Sequence, residues 1–314
     1  MPSRQLTTLG EAMLRLSVRP GDRLEDAPAF DVHVAGSEAN VAYAAARVGL
    51  RAAWVSVLPD NTLGRRVART LAAGGVDTSL VRWEKAGRLG LYFVELGAAP
   101  RPIEVLYDRA NSTMALAGSG AFDWTALADT QFLHVSGITL ALSDSSRDVA
   151  RQAMEHAKNR GAWVTVDVNY RQRLWGREAA ADAVREVAPS VDVLVCTAED
   201  ARDLFGADGA AELQAALGVE TVVVTMGADG AIASRGGSTV RRNGHPVEPV
   251  DRVGAGDAFM AGLIWGLVDG SLELGLERGL AMSALKMTLH GDLFRLEADD
   301  VAALLARHSR EVGR

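Results

Sequence analysis

The stretch Pro249-Val250-Asp251-Arg252-Val253-Gly254-Ala255-Gly256-Asp257-Ala258-Phe259 holds the residues of this chain best suited to chemistry. Gly254 and Gly256 allow a tight turn and a close approach of backbone to a ligand. The apolar, small-residue run over 258–267 predicts a buried helix straight after them. The amides of Ala255, Gly256 and Asp257 then stand at a helix N-terminus, where unpaired N–H groups and the helix dipole favour an anion. A carboxylate in that turn repels a resting phosphate. It suits a group that takes the proton from a hydroxyl attacking a phosphoryl centre while the amides hold the developing charge. Gly-x-Gly-Asp alone is equally the pattern of an ordinary glycine turn with an acidic helix residue.

Further polar residues stand where apolar runs end. Val34-Ala35-Gly36-Ser37-Glu38-Ala39-Asn40 reads as a turn glycine, a capping serine and an asparagine in the first turn of a helix. The runs at 132–135 and 163–166 lead into Ser136-Gly137-Ile138-Thr139 and Asp167-Val168-Asn169-Tyr170-Arg171. Thr197-Ala198-Glu199-Asp200 follows the run at 191–196, with acids suited to a first helical turn. Thr225-Met226-Gly227-Ala228-Asp229-Gly230 ends another run in a glycine turn.

Strand-like runs at 6–9, 53–57, 132–135, 163–166, 191–195 and 221–225 alternate with helical runs at 38–48, 63–73, 145–159, 179–187, 201–204 and 210–217. Three longer helical runs follow, at 258–268, 272–289 and 298–307. This alternation predicts an α/β fold, a mostly parallel sheet between layers of helices, with ligands at the C-terminal ends of the strands. Two segments break the pattern. Residues 13–34 show strand alternation, and 89–109 read as a hairpin with the tip Gly97-Ala98-Ala99-Pro100-Arg101-Pro102. Together they predict a small projecting sheet. Tyr92 and Phe93 are strand neighbours and face opposite sides of it.

The chain has 314 residues, 48% hydrophobic and 23% charged, enough for one large domain spanning 1–314. A net charge of −7 without a basic block argues against nucleic acid as partner. The N-terminus is too short and polar for a signal peptide, and no run approaches a membrane span, so a cytoplasmic location is expected. The single cysteine, Cys196, excludes an internal disulfide and lies in a core-like run. His33, His134, His156, His245, His290 and His308 show no metal-ligand spacing. The only lysines, Lys85, Lys158 and Lys286, follow no glycine-rich loop, so there is no P-loop.

Asp251-x-x-Gly254-Ala255-Gly256-Asp257-Ala258-Phe259 resembles the C-terminal signature of the ribokinase-like (PfkB) family of carbohydrate kinases, and 36–49 resembles its N-terminal signature. The resemblance implies a ribokinase-like three-layer sandwich with a small β-sheet lid, which often forms the subunit interface and here predicts a homo-oligomer. It implies ATP and Mg²⁺, with Asp257 as catalytic base and the amides of Gly254, Ala255 and Gly256 as anion hole. His134–Leu142, Asp167-x-Asn169-x-Arg171, and Tyr107-Asp108-Arg109-Ala110-Asn111-Ser112 resemble 2-keto-3-deoxygluconate kinases in particular. For that substrate the resemblance points to Gly36, Asn40, Tyr92, Tyr107, Arg109, Ile138, Asn169, Arg171 and Asp292. Arg109 and Arg171 are expected to hold its carboxylate. For the nucleotide it points to Thr197, Thr225, Gly227, Gly230, Gly254 and Gly256, with Glu199 and Asp200 in the outer shell of the metal.

Some positions depart from the family pattern. Ala35-Gly36 stands for the commoner Gly-Gly, and Thr197 with Asp200 for Asn-x-x-Glu. Arg252-Val253 stands for Thr-Thr, which leaves open the monovalent-cation (K⁺) site of some relatives. At Leu289-His290-Gly291-Asp292, a helix-ending glycine with a solvated aspartate is an equal reading. A kinase of a neutral sugar or nucleoside on the same fold would keep Asp257 without needing several arginines at the sugar. A sugar-binding regulator would keep the pocket and lose the base.

Overall fold

The computed structural model describes residues 2–97 and 100–312. The chain runs through β1 (Arg4–Leu9), β2 (Met13–Ser17), β3 (Asp31–Ala35), α1 (Ser37–Arg47), β4 (Ala52–Pro59), α2 (Thr62–Ala73) and β5 (Val81–Glu84). The hairpin β6 (Gly90–Glu95) and β7 (Glu104–Asp108) follows, then α3 (Trp124–Leu127). Alternation resumes with β8 (Thr130–Ser136), α4 (Gly137–Leu142), α5 (Asp144–Asn159), β9 (Trp163–Asp167), α6 (Arg177–Val187) and β10 (Val193–Thr197). Next come α7 (Ala198–Phe205), α8 (Ala210–Leu217), β11 (Thr221–Thr225), β12 (Ala231–Arg235) and β13 (Ser238–Arg242). The chain closes with α9 (Ala255–Val268), α10 (Leu272–Met287) and α11 (Ala298–Val312).

Nine strands form one sheet in the order β13-β12-β11-β10-β9-β8-β1-β4-β5. It is parallel from β11 to β5, with β12 and β13 antiparallel at one edge. Both faces are covered, which is why its strands read as apolar runs. Val149 and Ala153 of α5, Val184 of α6 and Leu213 of α8 pack on one face. Val41 and Ala45 of α1, Met260 and Ile264 of α9, and Leu276 of α10 pack on the other. The small residues of α9 have a packing purpose. Gly266 lies so close to the Gly275 backbone of α10 that a methyl group there would not fit.

β1 lies between β4 and β8, so the strand order reverses there, and a crevice opens beyond the strands' C-terminal ends. A separate four-stranded sheet, β3-β2-β6-β7, stands over that end. It is built from the two segments whose pattern broke the alternation; Ala98 and Ala99 of the tip lie outside the described residues. Tyr107, Tyr92, Arg15 and His33 pair in register across it as one row, and Leu106, Phe93, Leu16 and Val32 as the next. Successive residues of a strand point to opposite faces, so the first row faces the crevice and the second faces away.

Three parts differ from the sequence expectation. Residues 137–142 form a helix where a loop was expected. Gly137 lets β8 turn directly into it, because a Cβ there would meet the Val168 carbonyl. β12 and β13 were not expected, although their link, Gly236-Gly237, has φ of 56° and 78°, the conformation a two-residue hairpin turn demands. β5 is only four residues long and gave no pattern. Among the described residues no helix is long and apolar enough to cross a membrane.

Candidate active site

A cavity of about 460 Å³ lies beyond the C-terminal ends of β8 to β11, between the N-termini of α1 and α9 and the inner face of the small sheet. Gly36, Asn40, Tyr92, Tyr107, Arg109, Ile138, Asn169, Arg171, Thr197, Asp200, Thr225, Gly254, Gly256, Asp257 and Asp292 all line it. Strand ends, helix starts and a separate sheet thus bring together residues spread along the chain from Gly36 to Asp292.

Asp257 sits in the first turn of α9 and is 8% exposed. Ser37 Oγ donates to its Oδ1 at 2.7 Å and Asn40 Nδ2 to its Oδ2 at 2.7 Å. Asn169 Nδ2 in turn donates to Ser37 Oγ at 3.0 Å. The carboxylate is therefore fixed from two sides by α1, itself steadied from the end of β9. Burial raises the Asp257 pKa above the ordinary carboxylate value, while Asn40, Ser37 and the nearby Arg171 charge draw it back. Ser37 was expected to cap α1. Instead Gly36 is the cap residue, and Ser37, one position inside the helix, reaches Asp257. Asn40 Oδ1 is buried with no hydrogen-bond partner, an acceptor open to a ligand hydroxyl.

Gly254 caps α9 with φ +85°, and a Cβ there would strike the Asp292 carbonyl. Nothing lies within 4 Å of where a Cβ on Gly256 would be. The amides of Gly254, Gly256 and Asp257 make no hydrogen bond among the described residues. The amide of Ala255, expected in the anion hole, instead donates to the Arg252 carbonyl at 3.3 Å, closing the turn. A helix N-terminus with bare amides, and free space beside a glycine, is a place for phosphate oxygens.

On the small sheet, Tyr92 stacks on Tyr107 with ring centroids 5.7 Å apart, and its hydroxyl donates to Asp292 Oδ2 at 2.6 Å. Asp292 is buried and also bonded by Arg15 Nη1 at 3.0 Å, so the solvated reading does not hold. Arg15 was not singled out by the sequence. It is 1% exposed and pairs with Asp251 at 2.8 Å as well, tying the small sheet to the turn before α9. The period-two alternation of 13–18 marked it as the polar member of an apolar strand.

The two arginines expected for a carboxylate differ. Arg109 is buried and ion-paired to Glu11, with Nε 2.9 Å from Glu11 Oε2. Its charge is already countered. Arg171 makes no ion pair among the described residues, where the one hydrogen bond of its guanidinium goes to the Tyr170 carbonyl. Its charge is felt at Asp167, Asp200 and Asp257. Arg252 is exposed, lines the same cavity and is likewise unpaired among the described residues. Asp167, part of the quoted motif but given no role by the sequence, is a further wall residue. Burial, helped by Asp257, pushes it up to about 7.

Glu199, Gly227 and Gly230 do not reach the cavity wall. Glu199 and Asp200 are adjacent on α7, so when Asp200 faces the cavity Glu199 faces solvent. Gly227 and Gly230 shape the turn from β11 to β12, where the Gly230 amide donates to the Gly227 carbonyl. Cys196 is buried as expected, though it borders the cavity, and burial raises its thiol pKa. Among the described residues no three His, Cys, Asp or Glu side chains form a metal cage.

Residues 3–299 match the model of the pfkB family carbohydrate kinases. The chain is 41% identical over 307 residues to a 2-dehydro-3-deoxygalactonokinase of Haloferax volcanii, covering 96% of each. It is 35% identical to a 2-dehydro-3-deoxygluconokinase of Thermoproteus tenax, covering 91% of this chain and 89% of that one. The crystal structure of a 2-dehydro-3-deoxygluconokinase from Thermotoga maritima superposes with a TM-score of 0.90 at 33% identity, covering 96% and 99%.

Proposed function

From its membership of the pfkB family of carbohydrate kinases, we propose that this chain uses ATP to phosphorylate the primary hydroxyl of 2-keto-3-deoxygluconate or its galactonate epimer. The names of its relatives point to such acids. The observation that carries the reading is the unpaired Arg171 in the same wall as the buried, doubly bonded Asp257. The first is a counter-ion for an acid, the second a base for a hydroxyl.

Asp257 takes the hydroxyl proton as the oxygen bonds to the γ-phosphorus and the bond to the β-phosphate oxygen breaks, releasing ADP. The bare amides of Gly254 and Gly256 face the charge on the transferring group. Arg171 holds the carboxylate of the acid, and Asn40 Oδ1 accepts from a sugar hydroxyl. Tyr92 and Tyr107 form the apolar wall of the lid. Arg252, at the mouth of the anion site, faces the phosphates of ATP. With no cage of protein ligands among the described residues, Mg²⁺ would be held through phosphate oxygens and water, with Asp200 in its outer shell. Bound there, it offsets negative charge on the phosphates. Two copies would meet through the outward face of the lid.

A coupled assay for ADP over both 2-keto-3-deoxy acids, fructose, ribose and a nucleoside tests the reading. The acids are expected to give the highest kcat/KM. Preference for a neutral sugar would overturn the substrate and leave the carbohydrate kinase.

A further inference from the structure

Lys286 is 0% exposed, although lysine is seldom buried without a carboxylate partner. It lies in the last turn of α10, and its ammonium forms no ion pair among the described residues. Nζ instead donates to two backbone carbonyls, Asp251 O and Leu289 O, both at 3.3 Å. Asp251 begins the turn that presents the Gly254 and Gly256 amides, and Leu289 lies just past the end of α10. The same junction is stitched by the Met287 carbonyl, which accepts from the amides of Val250 and Asp251 at 2.8 and 3.1 Å. The Asp251 carboxylate accepts from Arg15, from the Gly291 amide at 3.1 Å and from the Val253 amide at 3.1 Å. Backbone carbonyl oxygens of two segments turned on one positive charge are the type of ligand a potassium or ammonium ion takes. The end of α10 adds the negative pole of its dipole.

We infer that the Lys286 ammonium is a built-in monovalent cation, which sets the turn before α9 and leaves this kinase with no place for a free K⁺. A free ion does not fit a junction whose carbonyls already hold a tethered one. The inference rests on the reading of the Gly254 and Gly256 amides as the phosphate site. Lys286 acts through that turn and is a positioning residue.

The test compares wild type and Lys286→Met in tetramethylammonium, potassium and ammonium chlorides at equal ionic strength. Melting is followed without substrate, and turnover with the preferred acid. Wild-type Tm and kcat should not depend on which cation is present. In Lys286→Met, which leaves the buried Asp251 carbonyl and the part-buried Leu289 carbonyl without this donor, K⁺ or ammonium should raise Tm by about 2 °C or more over tetramethylammonium. Its kcat should fall by about one to two orders of magnitude, as for a misplacement of about 1 Å, with KM for the acid little changed. The same ions should restore part of that kcat. Specific activation of wild type by K⁺ would overturn the inference. So would a Met variant that equals wild type in tetramethylammonium, or one that is folded and impaired yet indifferent to the cation. Should Lys286→Met fold in none of the salts, Lys286→Gln takes its place under the same criteria. The melting arms contain no sugar, so an error in the choice of acid leaves them unaffected.

Discussion

Asp257 can serve a hydroxyl only while ionised, and its surroundings set when that is. Burial raises its pKa, so kcat should fall on the acid side at a pH above the ordinary carboxylate value of about 4. Asp257→Asn should fold and bind ATP but lose at least about two orders of magnitude in kcat, and with it that acid limb. Near-normal turnover by the variant would remove Asp257 from the role. Arg171 bears on the acid group. Arg171→Ala should raise KM for the keto-deoxy acid by the loss of a charged hydrogen bond, about 1.5–3 kcal/mol, with KM for ATP barely changed. If KM for ATP rises instead, Arg171 serves the phosphates. The unpaired state of Arg171 separates it from Arg109, whose replacement leaves Glu11 buried without its partner and so tests stability as well. Legibility at this scale follows chain distance. Asp257, Asn40 and Gly36 stood out because short motifs hold them. Arg15 did not, because its partner Asp292 lies 277 residues away. Ser37 was misread because a serine at a helix start caps helices far more often than it bonds a distant aspartate.

Helix α1 shows how an element can carry a site and strain stability at once. Two positions before Asn40, Glu38 is buried against β1, with Oε1 accepting from the Ser136 amide and hydroxyl and from the Thr139 hydroxyl at 2.9, 2.8 and 2.6 Å. Its carboxyl also fills the space that a side chain at Gly10 would need. Burial outweighs these donors and raises Glu38 from 4.5 to about 7. A carboxyl raised in the fold favours the folded state below its unfolded pKa, and that contribution is lost as pH climbs through the folded value. Stability should therefore decline between 4.5 and about 7, by roughly 3 kcal/mol from this residue. Glu38→Gln, which cannot ionise, should lose that part of the slope. Parallel stability curves from denaturant titrations of the two proteins across this range would exclude Glu38 as the source. The sequence marked α1 by its apolar spacing, and the central strands by their unbroken apolar runs. It gave little for β5, which is short, and for α4, whose six residues hold less than two turns of periodicity. The β12–β13 hairpin shows in the sequence only through its turn, Gly236-Gly237, because its edge strands are short and mixed in polarity.

Across the whole molecule, the small sheet is the part with two working faces. Its register turns the inner row Tyr107, Tyr92, Arg15 and His33 toward the body of the molecule, where the two tyrosines line the cavity, and the outer row Leu106, Phe93, Leu16 and Val32 to the far side. The alternation of 89–95 and 103–109 made the two faces legible, because a period of two separates them without any knowledge of partners; that Tyr92 is on the inward one came from the family resemblance. What covers the outer row was not legible, since an apolar strand face reads the same whether it meets a helix or a second chain. The structure narrows the matter. Leu106 is 57% exposed and Phe30 36%, with Phe30 set edge-on to Phe93 at 5.7 Å. Apolar side chains gathered on one face, instead of scattered singly, are the usual mark of an interface. A symmetric pair of lids would bury each row against its own copy. Leu106→Asp would place a charge in the middle of such a contact, and Leu106 does not line the cavity. Sedimentation should then show the mass falling from dimer to monomer, while the monomer's own stability stays within about 0.5 kcal/mol, as for other exposed positions. A wild-type protein that sediments as a monomer, or a variant that keeps the full mass of the oligomer, would mean that the lids do not join the subunits.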